Sequence, residues 1–173
     1  DSYLELNALH FKGEQVSGPS RRALADELAA FANSRGGVFV LGVDDSTREI
    51  TGIPIERLNA VEDFVRELAV DSVDPPVPIV TERLSVPAGS GQRVAVLRVD
   101  VPKSLFVHKS PGGYLHRVGS SKREMSPEYL AHLFQQRQFF IRRYHRAVGD
   151  IIGGAHEIVE GHHRRPVFRR DQN

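Results

Sequence analysis

Two adjacent aspartates, Asp44 and Asp45, directly follow an apolar run at residues 38–43. Carboxylates at the end of a buried strand can hold a divalent cation together with a third acid. The same residue types also favour a turn in which an aspartate side chain accepts hydrogen bonds from the backbone that follows it. The pair therefore indicates either a metal site or an ordinary Asx turn.

A second set of residues could bind phosphate, because its cations fall at predicted turns and strand ends, where such side chains can converge on a nucleic-acid backbone. Serine hydroxyls and backbone amides could complete a phosphate cradle there, although a turn or cap before the next helix is the equal alternative. Aromatic rings nearby can stack on bases or contact sugars. The candidates are Lys12, Arg35, Lys103, Lys109, Tyr114, Arg117, Ser120, Ser121, Lys122 and Arg123, with His108 and His116 as further ring contacts.

The composition excludes several other chemistries. The chain has 173 residues, a net charge of +1, 40% hydrophobic residues and no cysteine. Disulfides, thiolate zinc sites and cysteine nucleophiles are therefore excluded, and a reducing, cytoplasmic location is expected. No apolar stretch approaches the roughly 20 residues that span a bilayer, and no leader opens the chain, so we expect neither a secreted nor a membrane-bound protein. A Gly-x4-Gly-Lys-Ser/Thr loop is also absent, which disfavours a nucleotide-binding domain.

The elements that must position these residues begin with a helix at 19–34. Leu24, Leu28 and Phe31 recur at helical spacing, and the glycine pair at 36–37 then ends the helix. The β-branched apolar run at 38–43 predicts a buried strand. Asn33 lies at this junction, where its amide can bond the backbone of the turn or contact a ligand.

The rest of the chain predicts a mixed sheet with packed helices. Apolar positions at 58–68 keep helical spacing, and Ser126 followed by Pro127 caps and opens a further helix that runs to about residue 148. The predicted strands are 38–43, 50–53, 77–86, 93–101, 105–109 and 114–118, with the third and fourth forming a hairpin. The expected fold class is therefore α+β, a mixed α/β arrangement with a C-terminal helix.

Three stretches together resemble the Schlafen and Alba-like family. Residues 5–12, ELNALHFK, are similar to the family's opening Glu-x4-Glu-Phe-Lys. Residues 30–45, AFANSRGGVFVLGVDD, resemble its Ala-Phe-Ala-Asn-x-x-Gly-Gly-x4-Gly-Val-Asp-Asp, and residues 113–121, GYLHRVGSS, resemble its Tyr-x-x-Arg-x-Gly-Ser. The resemblance covers about residues 3–137 and implies an Alba/Schlafen-like fold.

In nuclease-competent members of this family, two glutamates of the opening motif and an aspartate after the glycine-pair strand form a carboxylate triad. The resemblance places Glu5, His10 and Asp45 at those catalytic positions, and Glu5, Asp44 and Asp45 as ligands of Mg²⁺ or Mn²⁺. Histidine stands where the family has its second glutamate, so the number of acids falls from three to two. His10 could still ligate Mn²⁺ or act as a general base, or it could be a partly buried structural residue.

The sequence therefore favours a DNA- or RNA-binding domain that mainly contacts phosphates and needs no cofactor. The alternative is a metal-dependent endoribonuclease with an altered triad. We expect residues 1–137 to form the Schlafen/Alba-like domain, and residues 138–173 to continue the C-terminal helix into a basic, loosely held tail. Family members also suggest a homodimer with one shared basic groove.

Overall fold

The computed structural model describes residues 3–12, 15–88 and 93–161, without the side chains of 11–12, 15–16, 145, 147 and 149–161. The chain divides into two compact units, Asp1–Phe134 and Gln135–Asn173. The predicted basic end of the tail, at 162–173, lies outside the described residues. None of the helices in the described ranges is long and apolar enough to cross a membrane.

The described residues form eight strands and three helices. The strands are β1 (Leu4–Asn7), β2 (His10–Lys12), β3 (Gln15–Ser17), β4 (Gly36–Leu41), β5 (Val80–Pro87), β6 (Arg93–Pro102), β7 (Leu115–Val118) and β8 (Ser121–Glu124). The helices are α1 (Arg21–Asn33), α2 (Ile55–Asp71) and α3 (Pro127–Gly161).

A four-stranded mixed sheet organises the first unit, in the order β1-β4-β6-β5. Strand β1 pairs parallel to β4, whereas β4 with β6 and β6 with β5 pair antiparallel. Two separate hairpins, β2-β3 and β7-β8, complete the strands of this part of the chain. The fold is therefore α+β, as the sequence predicts.

Helix α1 and the central strand β4 form the middle of the core. Ser20 caps the helix, since its Oγ accepts a hydrogen bond from the Ala23 N–H at 3.1 Å. Leu28, Phe31 and Phe39 are at most 1% exposed. Gly36 has φ +81°, and a Cβ on Gly37 would lie 2.2 Å from the Phe31 ring, so the glycine pair permits both the turn and close helix–strand packing.

Helix α2 packs through Leu58, Val65 and Leu68, and it also buries one carboxylate. Glu62 Oε1 accepts from Thr81 Oγ1 at 2.5 Å and from Arg66 at 2.7 Å, and Glu62 Oε2 lies 2.6 Å from Arg83. The Thr81 hydrogen bond, followed by those of the arginines, lowers the Glu62 pKa to about 2. This polar cluster joins α2 to the edge strand β5.

Several predicted elements differ from the structure. Residues 50 and 53 form only isolated bridges, to Val43 and Ala95, and residues 105–109 contribute a single bridge between Lys109 and Asp74. Strands β1, β2, β3 and β8 were not predicted from the sequence, and α3 continues beyond the predicted end at 148. The cap of α3 is confirmed, because the Tyr129 N–H donates to Ser126 Oγ at 3.2 Å.

Candidate functional site

Asn33, the last residue of α1, holds the chain segment that leads into β7. Its side chain is buried, and its Nδ2 donates to the carbonyl oxygens of His108 at 2.7 Å and Leu115 at 2.9 Å. Its Oδ1 accepts from the His108 N–H at 2.8 Å. The amide therefore bonds backbone groups that are remote in sequence. The next residue extends this attachment, because Ser34 Oγ accepts from the Arg117 N–H at 2.8 Å.

The inner face of the β7-β8 hairpin carries a cluster of paired charges against α1. Arg117 and Glu27 are each 4% exposed, and Arg117 Nη1 contacts both Glu27 Oε1 and, at 3.3 Å, Glu5 Oε2. The Arg117 guanidinium also lies 4.6 Å from the centre of the Phe31 ring. Lys122 Nζ is 3.1 Å from Glu27 Oε2, and burial lowers the Lys122 pKa. These cations neutralise internal carboxylates, so Arg117 is not exposed to contact a phosphate.

The outer face of the hairpin consists of His116, Val118, Ser121 and Arg123. Strand pairing places His116 opposite Arg123 and Val118 opposite Ser121, and the pleat turns these four side chains away from Arg117 and Lys122. Arg123 and Ser121 are exposed. This face therefore presents one cation and one hydroxyl to solvent.

An aromatic pair adjoins the outer face. The His116 ring stacks on Tyr129 of α3, with centroids 4.7 Å apart and planes inclined by 34°. Tyr129 is 41% exposed, so part of its ring is open to a ligand. Burial lowers the His116 pKa, which favours the neutral imidazole near neutral pH. The pair can therefore offer a flat aromatic surface beside the exposed cation.

Two further groups of predicted phosphate contacts lie on other segments of the chain. Arg35 and Lys103 are exposed on neighbouring chain segments, because Gly36 pairs with Pro102, and Arg35 donates to the Tyr3 hydroxyl at 2.9 Å. Lys109 is exposed, with its Nζ 6.0 Å from the centre of the Tyr114 ring. Ser120 is exposed in the hairpin turn, and its carbonyl accepts from Arg117 Nη2 at 2.8 Å. The Lys12 side chain is not among those that the structure describes.

The acidic candidates each have a local partner. Asp44 forms the Asx turn: its Oδ1 accepts from the hydroxyl of Ser46 at 2.6 Å and from the N–H groups of Ser46 and Thr47, each at 2.9 Å. The Ser46 hydroxyl and then the Thr47 N–H lower the Asp44 pKa to about 2. Asp45 pairs with Arg48 at 3.2 Å, with both side chains well exposed.

The structure does not assemble the metal site for which these acids were candidates. Glu5 lies in the Arg117 cluster, and His10 is exposed on β2, opposite Ser17. Across the described residues, no three His, Asp or Glu side chains are grouped closely enough to hold a metal ion. The physical reason is that each carboxylate already satisfies a turn or a cation of its own.

One more predicted role is wrong, and two residues of the site were not predicted from the sequence. His108 is fully buried, with its Nδ1 2.6 Å from the Pro75 carbonyl, so it cannot stack on a ligand as predicted. Glu27 was missed, although it shares the apolar stripe of Leu24, Leu28 and Phe31, and an acid at such a position signals a buried partner cation. Tyr129 was missed because its stacking on His116 depends on tertiary packing.

The family model described as Schlafen, AlbA_2 matches residues 5–126. The chain belongs to the Schlafen AlbA_2 family. The match includes both ends of the Asn33 attachment and the whole β7-β8 hairpin, whereas Tyr129 lies three residues beyond it.

Comparison with other proteins adds little about the site of this Schlafen AlbA_2 domain. No curated protein matches the chain. Among solved structures, it is similar to the DIP2311 protein from Corynebacterium diphtheriae, with 24% identity and a TM-score of 0.49, over 72% of this chain. The chain spans 25% of that protein's length.

Proposed function

We propose that this Schlafen AlbA_2 domain binds DNA or RNA, and that the outer face of the β7-β8 hairpin, with Tyr129, is the contact surface. The observation that carries the proposal is the pairing of exposed Arg123 with His116, whose ring stacks on a partly exposed Tyr129. Membership of the family supports a nucleic-acid-related function.

The chemistry of this face suits a phosphate backbone with an adjacent base or sugar. Arg123 would contact a phosphate, and the exposed hydroxyls of Ser120 and Ser121 would donate to its oxygens. The His116–Tyr129 pair would offer a ring for stacking, which tolerates any base. Binding should therefore depend on charge more than on base sequence.

Cations elsewhere would extend the contact along a longer strand. Arg35 and Lys103 form one exposed group, and Lys109 with Tyr114 forms another. Arg117 and Lys122 would act indirectly, since their contacts with Glu27 hold the hairpin that carries Arg123. The predicted homodimer with a shared groove stays a prediction.

The test is fluorescence anisotropy with labelled single- and double-stranded DNA and RNA of matched sequence at low ionic strength. We expect Arg123→Ala and Tyr129→Ala each to weaken binding about 5- to 30-fold, which corresponds to about 1–2 kcal/mol. Arg93→Ala is the matched control. Arg93, the first residue of β6, is an exposed arginine outside the hairpin, and it donates to Ser85 of β5. Equal losses from Arg93→Ala and Arg123→Ala would locate binding elsewhere or show that it is diffuse.

The metal-dependent nuclease is the weaker candidate, because Glu5, His10 and Asp45 have separate surroundings. We expect no cleavage of the same labelled substrates with Mg²⁺ or Mn²⁺, and no gain from His10→Glu, since a new carboxylate on β2 would still lack two neighbouring acids. Robust cleavage that Glu5→Gln abolishes would establish the nuclease instead.

A further inference from the structure

The Tyr129 ring can receive a further ring on one side only. His116 stacks on Tyr129 with ring centroids 4.7 Å apart, so the imidazole already covers one face of the tyrosine. Tyr129 is nevertheless 41% exposed, so the rest of its ring surface is open to solvent. A side chain that is inserted into a duplex needs both of its sides free to lie between neighbouring base pairs. Tyr129 is therefore suited to stack on one base and not to enter a stacked base step.

A duplex offers no free base face to such a ring. Each base of a duplex is stacked on both sides, and extruding one carries an unstacking penalty. Stacking one base on an aromatic side chain raises affinity about 5- to 150-fold, and the unstacking penalty is of the same order. Because the penalty offsets the gain, one ring does not hold a duplex open. An unpaired base carries no such penalty.

The charges around the ring also favour a ligand that is held by more than its phosphates. Among the four side chains of the outer face, Arg123 carries the full positive charge, since burial lowers the pKa of His116. Two exposed acids, Glu124 and Glu128, directly follow Arg123 and precede Tyr129 in the chain. Affinity for a duplex grows with the number of phosphates that cations neutralise. One cation beside two acids gains little in that way, so contact with a base has to supply affinity.

Val118 extends the apolar part of the same surface. It is 48% exposed and follows His116 by two residues on β7, so it lies on the same side of the hairpin, about 6.6 Å further along. Arg123 is directly opposite His116, and such pairs have Cβ atoms about 5 Å apart. An apolar side chain has no partner on a phosphate, whereas it packs against a sugar or a base. The surface therefore matches both the apolar and the anionic part of a nucleotide.

We infer that the ligand of this surface is a single strand, with an unpaired base stacked on Tyr129 on the side away from His116. Arg123 contacts a phosphate next to that base. The assignment rests on the proposed function, because it names the class of nucleic acid that the same surface binds. A fully paired duplex keeps only the phosphate contact, so the two ligands should differ in affinity by the contribution of stacking.

The experiment compares three labelled ligands with equal numbers of phosphates, by fluorescence anisotropy at low ionic strength. One is a single strand, and the second is the same strand with abasic residues throughout. The third is a duplex closed at both ends by polyethylene glycol linkers, so that no terminal base pair is exposed. The wild type should bind the intact single strand about 5- to 30-fold more tightly than either of the other ligands.

Four variants separate the ring from the cation. Tyr129→Ala should weaken binding of the intact strand about 5- to 30-fold and leave the abasic strand unchanged, whereas Tyr129→Phe should retain wild-type affinity. Arg123→Ala should weaken binding of all three ligands. Phe139→Ala removes an exposed aromatic ring of the second unit and is the control, which should leave every affinity unchanged. Circular dichroism checks that each variant remains folded.

The outcomes distinguish this inference from the proposed function. Equal binding of the three ligands that still requires Arg123 would overturn the single-strand assignment and leave the proposed function standing. Absence of binding to all three would overturn both. Equal effects of Tyr129→Ala on the intact and abasic strands, or of Tyr129→Ala and Phe139→Ala on the intact strand, would also overturn the assignment, because the base would then not lie on Tyr129.

Tyrosine emission locates the stacked base directly. The chain has no tryptophan and four tyrosines, so its intrinsic fluorescence comes from tyrosine, which a stacked base quenches. Titration with the intact strand should quench the emission of the wild type by more than that of Tyr129→Phe, and the abasic strand should quench neither. Equal quenching of the wild type and Tyr129→Phe by the intact strand would place the base on another tyrosine and overturn the inference.

Discussion

Asn33 and Arg117 lie in the motifs that carry the family resemblance, yet both direct their polar atoms into the protein. Asn33 bonds three backbone groups of His108 and Leu115, and Arg117 contacts Glu5 and Glu27. A motif residue can thus be required because it orients a functional segment, without touching a ligand. This distinction determines which substitutions test binding and which test folding.

Asn33→Ala should destabilise the fold by on the order of 3 kcal/mol, because it leaves buried backbone donors and acceptors of His108 and Leu115 unpaired. Chemical denaturation followed by circular dichroism measures the loss. Asn59→Ala, an exposed change on α2, is the control and should stay within about 0.5 kcal/mol of the wild type. Similar behaviour of the two variants would contradict the role given to Asn33.

Glu62 should make stability depend on acid pH. Its folded-state pKa of about 2 is below the ordinary value of 4.5, so its contribution is present above pH 4.5 and is lost as the pH falls toward 2. Glu62→Gln should therefore lower the free energy of unfolding at pH 7 by about 1–3 kcal/mol, which lowers the melting temperature. The melting temperature of the variant should also fall less than that of the wild type between pH 5 and 2. Asp63→Asn, an exposed neighbour on α2, should retain the wild-type slope; an unchanged Glu62→Gln profile would refute this coupling.

At the scale of elements, the two faces of the β7-β8 hairpin differ, because successive side chains of a strand point to opposite sides. Arg117 and Lys122 face α1, and His116 and Arg123 face outward. Helix α1 supports the hairpin through Glu27, which contacts Arg117, and through Asn33, which donates to the carbonyl of Leu115 at the start of β7. Ser34, which follows the helix, accepts a hydrogen bond from the Arg117 N–H. Removing an inner contact should therefore affect stability first.

Arg117→Ala should reduce stability by about 3 kcal/mol, since it leaves Glu27 buried with only Lys122 as a cation partner. The double variant Arg117→Met with Glu27→Met should recover most of that loss, because no buried charge remains between them. Thermal denaturation of the single and double variants measures both effects. If the double variant is less stable than Arg117→Ala, then the pair is not the source of the loss.

The sequence predicted the elements whose pattern is local, and missed features that depend on tertiary contacts. The spacing of Leu24, Leu28 and Phe31 predicted α1, and the apolar run after the glycine pair at 36–37 predicted β4. The sequence could not distinguish the inner from the outer cations of the hairpin. Strand β8, Ser-Lys-Arg-Glu, contains only polar residues, so no apolar alternation marks which side faces the core. The stacking of His116 on Tyr129 likewise depends on how α3 packs.

At the scale of the whole chain, the predicted phosphate contacts occur on several segments. They divide among the hairpin, the Arg35–Lys103 group and the Lys109–Tyr114 group, while Arg117 is internal. The net charge of only +1 agrees with a chain whose cations are often paired with acids. Binding by such a chain should depend on a few exposed cations, which makes individual contributions measurable.

The most direct measurement is the affinity of wild type and Arg123→Ala for a labelled oligonucleotide across a salt series. Wild-type affinity should fall steeply and linearly on a log–log plot, because phosphate contacts release counterions. Arg123→Ala should weaken binding and make the salt slope shallower by about one, whereas Arg93→Ala should leave both unchanged. Undetectable wild-type binding at low ionic strength, or the same affinity and slope for Arg123→Ala as for wild type, would contradict the proposed interface.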